Sequence, residues 1–234
     1  MRNIIITALV LCVALSSCKK IDGDGNVVTE TYSINESFEE VTNETAFDVT
    51  VIFSNENKVV ITGESNIIEK LSVYVKRKRL IIEKDRNKYR LRNTQPVTIT
   101  VYMSRKSNMH FNNYGSGDLT AESPISNKID LNNTGLGDLY VFNCEHEAIE
   151  IHNSGSGDVV VKGIAGDVYI ENSGSGDVDC YDLIAQYVEI HSTGSGRVEA
   201  YATDEGDVWQ SGSGEVYVWG TERVRYHYEY EGDK

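Results

Sequence analysis

The chain has 234 residues, 40% of them hydrophobic, with 14 Tyr and only 2 Pro, which excludes a disordered linker protein and suits one folded domain. Its formal net charge of −14 gives no footing for nucleic acid as a partner. In chain order, the first element is "MRNIIITALVLCVALSSC": one Arg, an apolar run from Ile4 to Leu15, then small residues. It predicts a secretory signal peptide over residues 1–17, short for a transmembrane span. Its end, Leu15-Ser16-Ser17-Cys18, resembles a bacterial lipobox, so Cys18 is the expected lipidation site, with acyl chains giving stable membrane anchoring. Lys19 follows, not the Asp that resembles an inner-membrane retention signal, and an outer-membrane lipoprotein of the cell envelope is expected. Residues 18–37 read as the lipidated Cys and a polar tether.

Residues 38–234 are expected to form a single domain, opening with irregular coils and hairpins over 38–106. "AFDVTVIFS" and "KVVITGE" read as two strands around a turn at "NEN". "SNIIEKL" is a short helical candidate with Ser65 as N-cap. "SVYVKRKRLIIEK" reads as a hairpin and "PVTITVYM" as a strand feeding the first coil. Between residues 70 and 106 lie 12 of the 22 Lys and Arg. The plain reading is a solvated hairpin whose charge blocks edge-to-edge association; the alternative is a patch for polyanions.

Repeats dominate residues 107–220. The cores "NNYGSGDLT", "NNTGLGDLY", "HNSGSGDVV", "ENSGSGDVD", "HSTGSGRVE" and "WQSGSGEVY" recur at spacings of 20, 20, 19, 20 and 18 residues. Their corner glycines are Gly115 and Gly117, Gly135 and Gly137, Gly155 and Gly157, Gly174 and Gly176, Gly194 and Gly196, and Gly212 and Gly214. Apolar residues alternate with polar ones on both sides of each corner, the mark of short strands with one buried face. A fixed corner at a 20-residue period predicts an all-β parallel solenoid, each coil about 4.8 Å from the last. Glycine is expected there for positive φ and for close stacking of backbones. The Asn two residues before each corner is expected to point inward and bond to turn backbone. In the inter-repeat segments Ile164, Leu183 and Ile184 are expected to anchor a third side from inside. Residues 221–234, with Tyr226, Tyr228 and Tyr230 on one face, are expected to cap the last coil. Cys144 and Cys180 fall on different turns; a bridge is open to them in an oxidising compartment, but two buried thiols are expected.

The lead-in "FDVTV…VVITGE…L…LIIEK…VTITVYM", followed by repeated "GSGD" corners, resembles the auto-transporter adhesin head GIN domain family over about residues 38–218. The resemblance implies a right-handed parallel β-helix, a bacterial lipoprotein, an adhesive role and no established catalytic set. Leu136 and Arg197 depart from the repeated pattern.

Behind the corners stand Asp118, Asp138, Asp158, Asp177, Arg197 and Glu215. In register these acids stack into a column whose like charges repel, so backbone N–H groups, Arg197 or Ca²⁺ must offset them. One acid per 20 residues supplies few ligands per coil, so scaffolding is expected ahead of Ca²⁺, and no cofactor is called for. An acid repeated on nearly every turn is unlike the local, asymmetric cluster of a catalytic site. No enzyme activity is expected, with a polysaccharide-active enzyme as the alternative. His152, Glu171 and His191 on consecutive coils are a weak metal candidate. Outward aromatics, Tyr140, Phe142, Tyr181, Tyr201, Trp209 and Trp219, are the candidate binding residues. The expected function is a non-catalytic interaction or adhesion module for a glycan or protein partner, with a purely structural envelope role as the other alternative.

Overall fold

The computed structural model describes residues 19–85 and 89–228. The signal peptide, Cys18 and Tyr230 lie outside the described residues. The chain winds into a parallel β-solenoid of about 20-residue coils, as the repeat predicts. Strands before each corner pair coil to coil, Phe111 with Leu131, Leu131 with Ile151, Ile151 with Ile170, Ile170 with Ile190, and Ile190 with Val208. Strands after it do the same, Leu119 with Leu139, then Val159, Val178, Val198 and Val216. Both inward columns are almost completely buried and run without a break into the lead-in through Val41 and Val49. One coil shields little apolar surface, and stacking removes the rest from water at about 25 cal/mol per Å².

The corner glycines do not have positive φ; that backbone appears at Gly25, Gly163 and Gly220 instead. The expectation of positive φ at the corners is therefore corrected. What excludes a side chain is the neighbouring coil. A Cβ on Gly157 would fall almost on the carbonyl oxygen of Gly137, and one on Gly176 on that of Gly157; all twelve corner glycines meet the coil before them in the same way. Each corner is hydrogen-bonded to the previous one, with Ser156 N–H donating to Gly135 O at 3.1 Å and Ser175 N–H to Gly155 O at 3.0 Å.

A seventh corner, with no glycine, precedes the six. Asn43 pairs with Asn113 and Val49 with Leu119, so Thr45, Ala46, Phe47 and Asp48 occupy the places of Gly115, Ser116, Gly117 and Asp118. Gly115 and Gly117 rest against the carbonyls of Thr45 and Phe47.

The lead-in is more interwoven than its sequence suggests. Val49–Phe53 and Lys58–Glu64 are strands, but Thr98–Met103 lies between them, parallel to the first and antiparallel to the second. Leu71–Lys76 and Arg79–Lys84 form the expected hairpin, turning through Arg77 and Lys78, both with positive φ. The helix is one turn, Ser65–Ile68, and its N-cap is Glu64 rather than Ser65. Glu64 is fully buried and accepts from the N–H groups of Gly25, Thr94 and Gln95 and from the Thr94 hydroxyl, bonds that pull its carboxyl down to about 2.

The stretch read as a polar tether is folded. Lys19–Asp22 pairs in parallel with Tyr89–Arg92, and Val27–Ser33 pairs antiparallel with Lys58–Glu64. At the other end, Val224–Tyr228 adds a partial coil in which Tyr226 registers over the inward Val208. Cys144 and Cys180 are buried free thiols, and burial pushes Cys144 up to about 11.

Candidate binding surface

The acid column is built into the corners. Asp118 accepts the backbone N–H of Asp138 at 2.9 Å, Asp138 that of Asp158 at 2.8 Å, Asp158 that of Asp177 at 2.8 Å, and Asp177 that of Arg197 at 2.7 Å. Asp48 starts the series by accepting from Asp118. Each carboxylate thus takes up a corner N–H of the next coil, one of the offsets the sequence allowed. The Asp118 carboxyl is raised, chiefly by burial, with the charges of Asp138 and Asp48 adding to the burial and the Asp138 N–H opposing it. The inward Asn side chains serve the same corners. Asn153 donates to the carbonyls of Gly157 and Gly176, both at 3.2 Å, and Asn172 to Gly176 at 3.1 Å.

The metal candidates do not converge. His152 and Glu171 pair at 2.9 Å, but His191 turns to Glu189 at 2.8 Å. Among the described residues no three His, Cys, Asp or Glu side chains could hold one ion. His191 stacks face to face on Trp209 at 4.6 Å, and His227 covers the other side at 4.5 Å. Trp209 is therefore filled on both faces and offers no platform, which removes it from the candidate binding aromatics.

The other aromatics divide into two groups. Tyr140 and Phe142 stack at 5.8 Å, and the Tyr140 hydroxyl donates to Asp138 at 2.7 Å, which pushes the phenol up. Tyr181, Tyr201 and Trp219 meet on the last coils, Tyr181 edge-on to both others, and Tyr217 stacks on Trp219 at 6.2 Å. Tyr217, outward by the same alternation as the other coil-face aromatics, is 39% exposed.

The third side corrects a second expectation. Leu183 is buried, but Ile164 and Ile184 are 58% and 51% exposed. Register shifts follow Val141, Val160 and Cys180. In–out parity reverses from Val141 to Cys144 and His146 and from Cys180 to Leu183 and Ala185. In the coil between them the parity of Val159 and Val161 carries through to Ala165 and leaves Ile164 outside. Asn143, with φ +53°, and Gly163, with φ +148°, lie at the first two of these bulges. The inward column on this side is then His146, Ala165, Ala185 and Ala202, all buried. It takes mostly alanine, and the isoleucines are left outside. The outward column runs Ile125, Glu145, Ile164, Ile184, Tyr201 and Trp219, in register from coil to coil. Ile125 and Trp219 are each 47% exposed. A groove of about 710 Å³ runs beside Ile125 and Ile164, with His146 on its lining. The His146 ring contacts Ser126 through Nδ1, at 2.9 Å from the hydroxyl, and burial lowers it to about 4.

This is a wall of stacked coils whose corner backbones are hydrogen-bonded coil to coil and whose one apolar edge is turned to solvent, a scaffold that presents a surface. The chain belongs to the family described as "Putative auto-transporter adhesin, head GIN domain", whose profile it matches over residues 37–221. Its fold is similar to that of a Bacteroides fragilis protein called a putative adhesin, with a TM-score of 0.82 at 22% identity, covering 89% of this chain and 96% of that one. A putative adhesin from Parabacteroides distasonis gives 0.68 at 20% identity, covering 90% and 96%. A protein of the same organism called a putative lipid binding protein gives 0.61 at 20% identity, covering 89% and 97%. No curated protein matches the chain.

Proposed function

We propose that the chain is a non-catalytic adhesion module, held at the outer membrane by an acylated Cys18, whose outward apolar edge docks a protein partner. The outward run Ile164, Ile184, Tyr201 and Trp219 carries this reading, its Tyr201 half-buried and the others exposed, with Ile125 set apart from it by Glu145. Isoleucines left about half in water add little to folding, and an apolar strip on a stacked wall is the kind of surface that associates. Branched aliphatic groups match an apolar protein surface better than a sugar, whose hydroxyls find no partner among them. The glycan reading is supported by one observation, the stacked Tyr217–Trp219 pair at an interplanar angle of 26°. The repeated Asp ladder favours scaffolding over catalysis, and adhesion independent of Ca²⁺ is expected.

The two readings separate in a binding screen of the folded protein against matrix proteins and a glycan array, with and without Ca²⁺. Docking of a protein predicts at least about a tenfold loss of saturable binding in Ile164→Asp and Ile184→Asp, with unchanged urea midpoints. Sugar stacking predicts loss in Trp219→Ala and Tyr217→Ala with Ile184→Ser unaffected. Binding indifferent to all of these removes the edge from the account. The anchor is tested separately by mass spectrometry, which should show acyl chains on the native protein and none in Cys18→Ser.

A further inference from the structure

Charge is distributed along the solenoid axis. Residues 70–106 hold 12 Lys and Arg against two acids, Glu83 and Asp85, whereas residues 107–220 hold three, Lys128, Lys162 and Arg197, in a strongly acidic stretch. The basic segment extends both faces of the stack beyond its first coil, through Arg79–Lys84 on one side and Thr98–Met103 on the other. Residues 19–106 together carry 15 Lys and Arg against 13 Asp and Glu, so the N-terminal end is near neutral with its basic residues gathered in 70–106, while the body beyond it is acidic.

At that end the small sheet of Lys19–Asp22 and Tyr89–Arg92 packs Ile21 and Leu91 against the core. Its other face shows Lys20, Arg90 and Arg92 to solvent, beside a cleft of about 450 Å³. Lys20 pairs with Asp22 at 2.9 Å, while among the described residues neither Arg90 nor Arg92 has a carboxylate partner. Cys18 is two residues from Lys20, so their Cα atoms are at most about 7 Å apart whatever the conformation between them. That is within the screening length of about 8 Å at physiological ionic strength.

We infer that the solenoid stands on its N-terminal end, with Lys20, Arg90 and Arg92 seated on the anionic phosphate headgroups of the membrane that holds Cys18. This rests on the lipid anchor proposed above. Because no flexible tether intervenes, the acyl chains fix this face at the bilayer surface, where each Lys or Arg gains attraction from anionic lipid. Arg adds bidentate bonding to phosphate oxygens. The acidic coils are repelled from the same surface, so the apolar edge is held out along an axis leaving the membrane rather than lying flat.

The test uses the native full-chain lipoprotein with Asn93→Cys, an exposed position next to Arg92, labelled with a fluorophore. Cys144 and Cys180 are buried, so labelling is selective. The protein is reconstituted in vesicles of phosphatidylcholine alone or with one-third phosphatidylglycerol, both carrying a headgroup-linked quencher. Quenching several times stronger on the anionic vesicles is expected, abolished by high salt and by Arg90→Gln with Arg92→Gln while flotation persists. Equal quenching on both vesicles overturns the proposal. Mass spectrometry of the same sample reads the anchor independently. If Cys18 carries no acyl chain, the anchor fails alone, and flotation of that chain decides the basic face: retention on anionic but not neutral vesicles upholds it, and retention on neither overturns it.

Discussion

The corner at Thr45–Phe47 and the six glycine corners above it make the same turn with different residues. Asn43 lies inward like Asn113, Asn133, Asn153 and Asn172, but it accepts from Thr45 N–H at 3.0 Å where the Oδ1 atoms of Asn133, Asn153 and Asn172 have no partner among the described residues. Asp48 begins the acid ladder that the later corners continue. A second difference lies underneath. Each glycine corner sits on the carbonyls of the corner before it, while the Thr45–Phe47 turn is the first of the series and carries side chains. Glycine at this fold's corners is therefore a consequence of stacking, and the turn itself tolerates Thr and Phe. A repeat reads clearly in sequence only from the second coil onward, because the first lacks the constraint that writes the motif.

Exchanging the two triplets breaks the comparison most severely. Thr-Ala-Phe in place of Gly155-Ser156-Gly157 should abolish folding, since two Cβ atoms would overlap backbone of the coil below and no side-chain movement relieves that. Gly-Ser-Gly in place of Thr45-Ala46-Phe47 should still fold, losing roughly 2–4 kcal/mol, mostly from the packing of Phe47. Circular dichroism and urea unfolding of the pair check both.

The third side offers a smaller effect, between the one coil with an inward His and the three with Ala. His146 is buried and its folded pKa, about 4, is below the usual 6.5. The unfolded chain thus binds more protons between those values, and stability is lost as pH falls through that window, by up to about 3 kcal/mol. His110 acts in the opposite sense: its bond to Asp130 raises it, so its contribution is present at low pH and is lost as pH rises through the raised value. The difference between wild type and His146→Ala isolates the buried ring. The variant should lose less stability than wild type from pH 7 to pH 4; parallel profiles would contradict the assignment.

Least costly is the acid ladder. Asp158→Ala removes the acceptor for Asp177 N–H at an exposed corner, and a loss of about 1 kcal/mol is expected, with Asp158→Asn nearly neutral. A carboxylate serving catalysis or a metal would separate Asn from Asp much more strongly in any functional readout.

Much of the fold was legible in the sequence because alternation and period come from the two faces that bury the most surface. Leu119, Leu139 and Val159 announce an inward column, and Asn113, Asn133 and Asn153 an inward polar one. The third side was misread because hydrophobicity there runs against burial: a narrow interior takes Ala165 and Ala185, and Ile164 and Ile184 go out. The signal was available in "GIAG" and "LIA", where a small residue follows each isoleucine at the same step of the repeat. The aromatic candidates were recognisable as outward, yet only register separates Trp209, closed between two imidazoles, from Trp219, open on the edge. The folded N-terminal stretch was hidden for a related reason: "KKIDGDG" is polar by composition, and Ile21 alone marks the strand that docks it.

Two glycines test the central claim directly. Gly25 has φ +76° and open space where a Cβ would go, so Gly25→Ala should cost only the left-handed backbone penalty of about 1–2 kcal/mol. Gly157 has no positive φ and a carbonyl oxygen in that place, so Gly157→Ala should lose more than about 4 kcal/mol or fail to fold. The measurement is the urea midpoint of the two variants side by side. A far larger shift for Gly157→Ala is the predicted result; equal shifts would mean that the neighbouring coil gives way to a Cβ at little cost, and that coil-to-coil contact is not what writes the repeat.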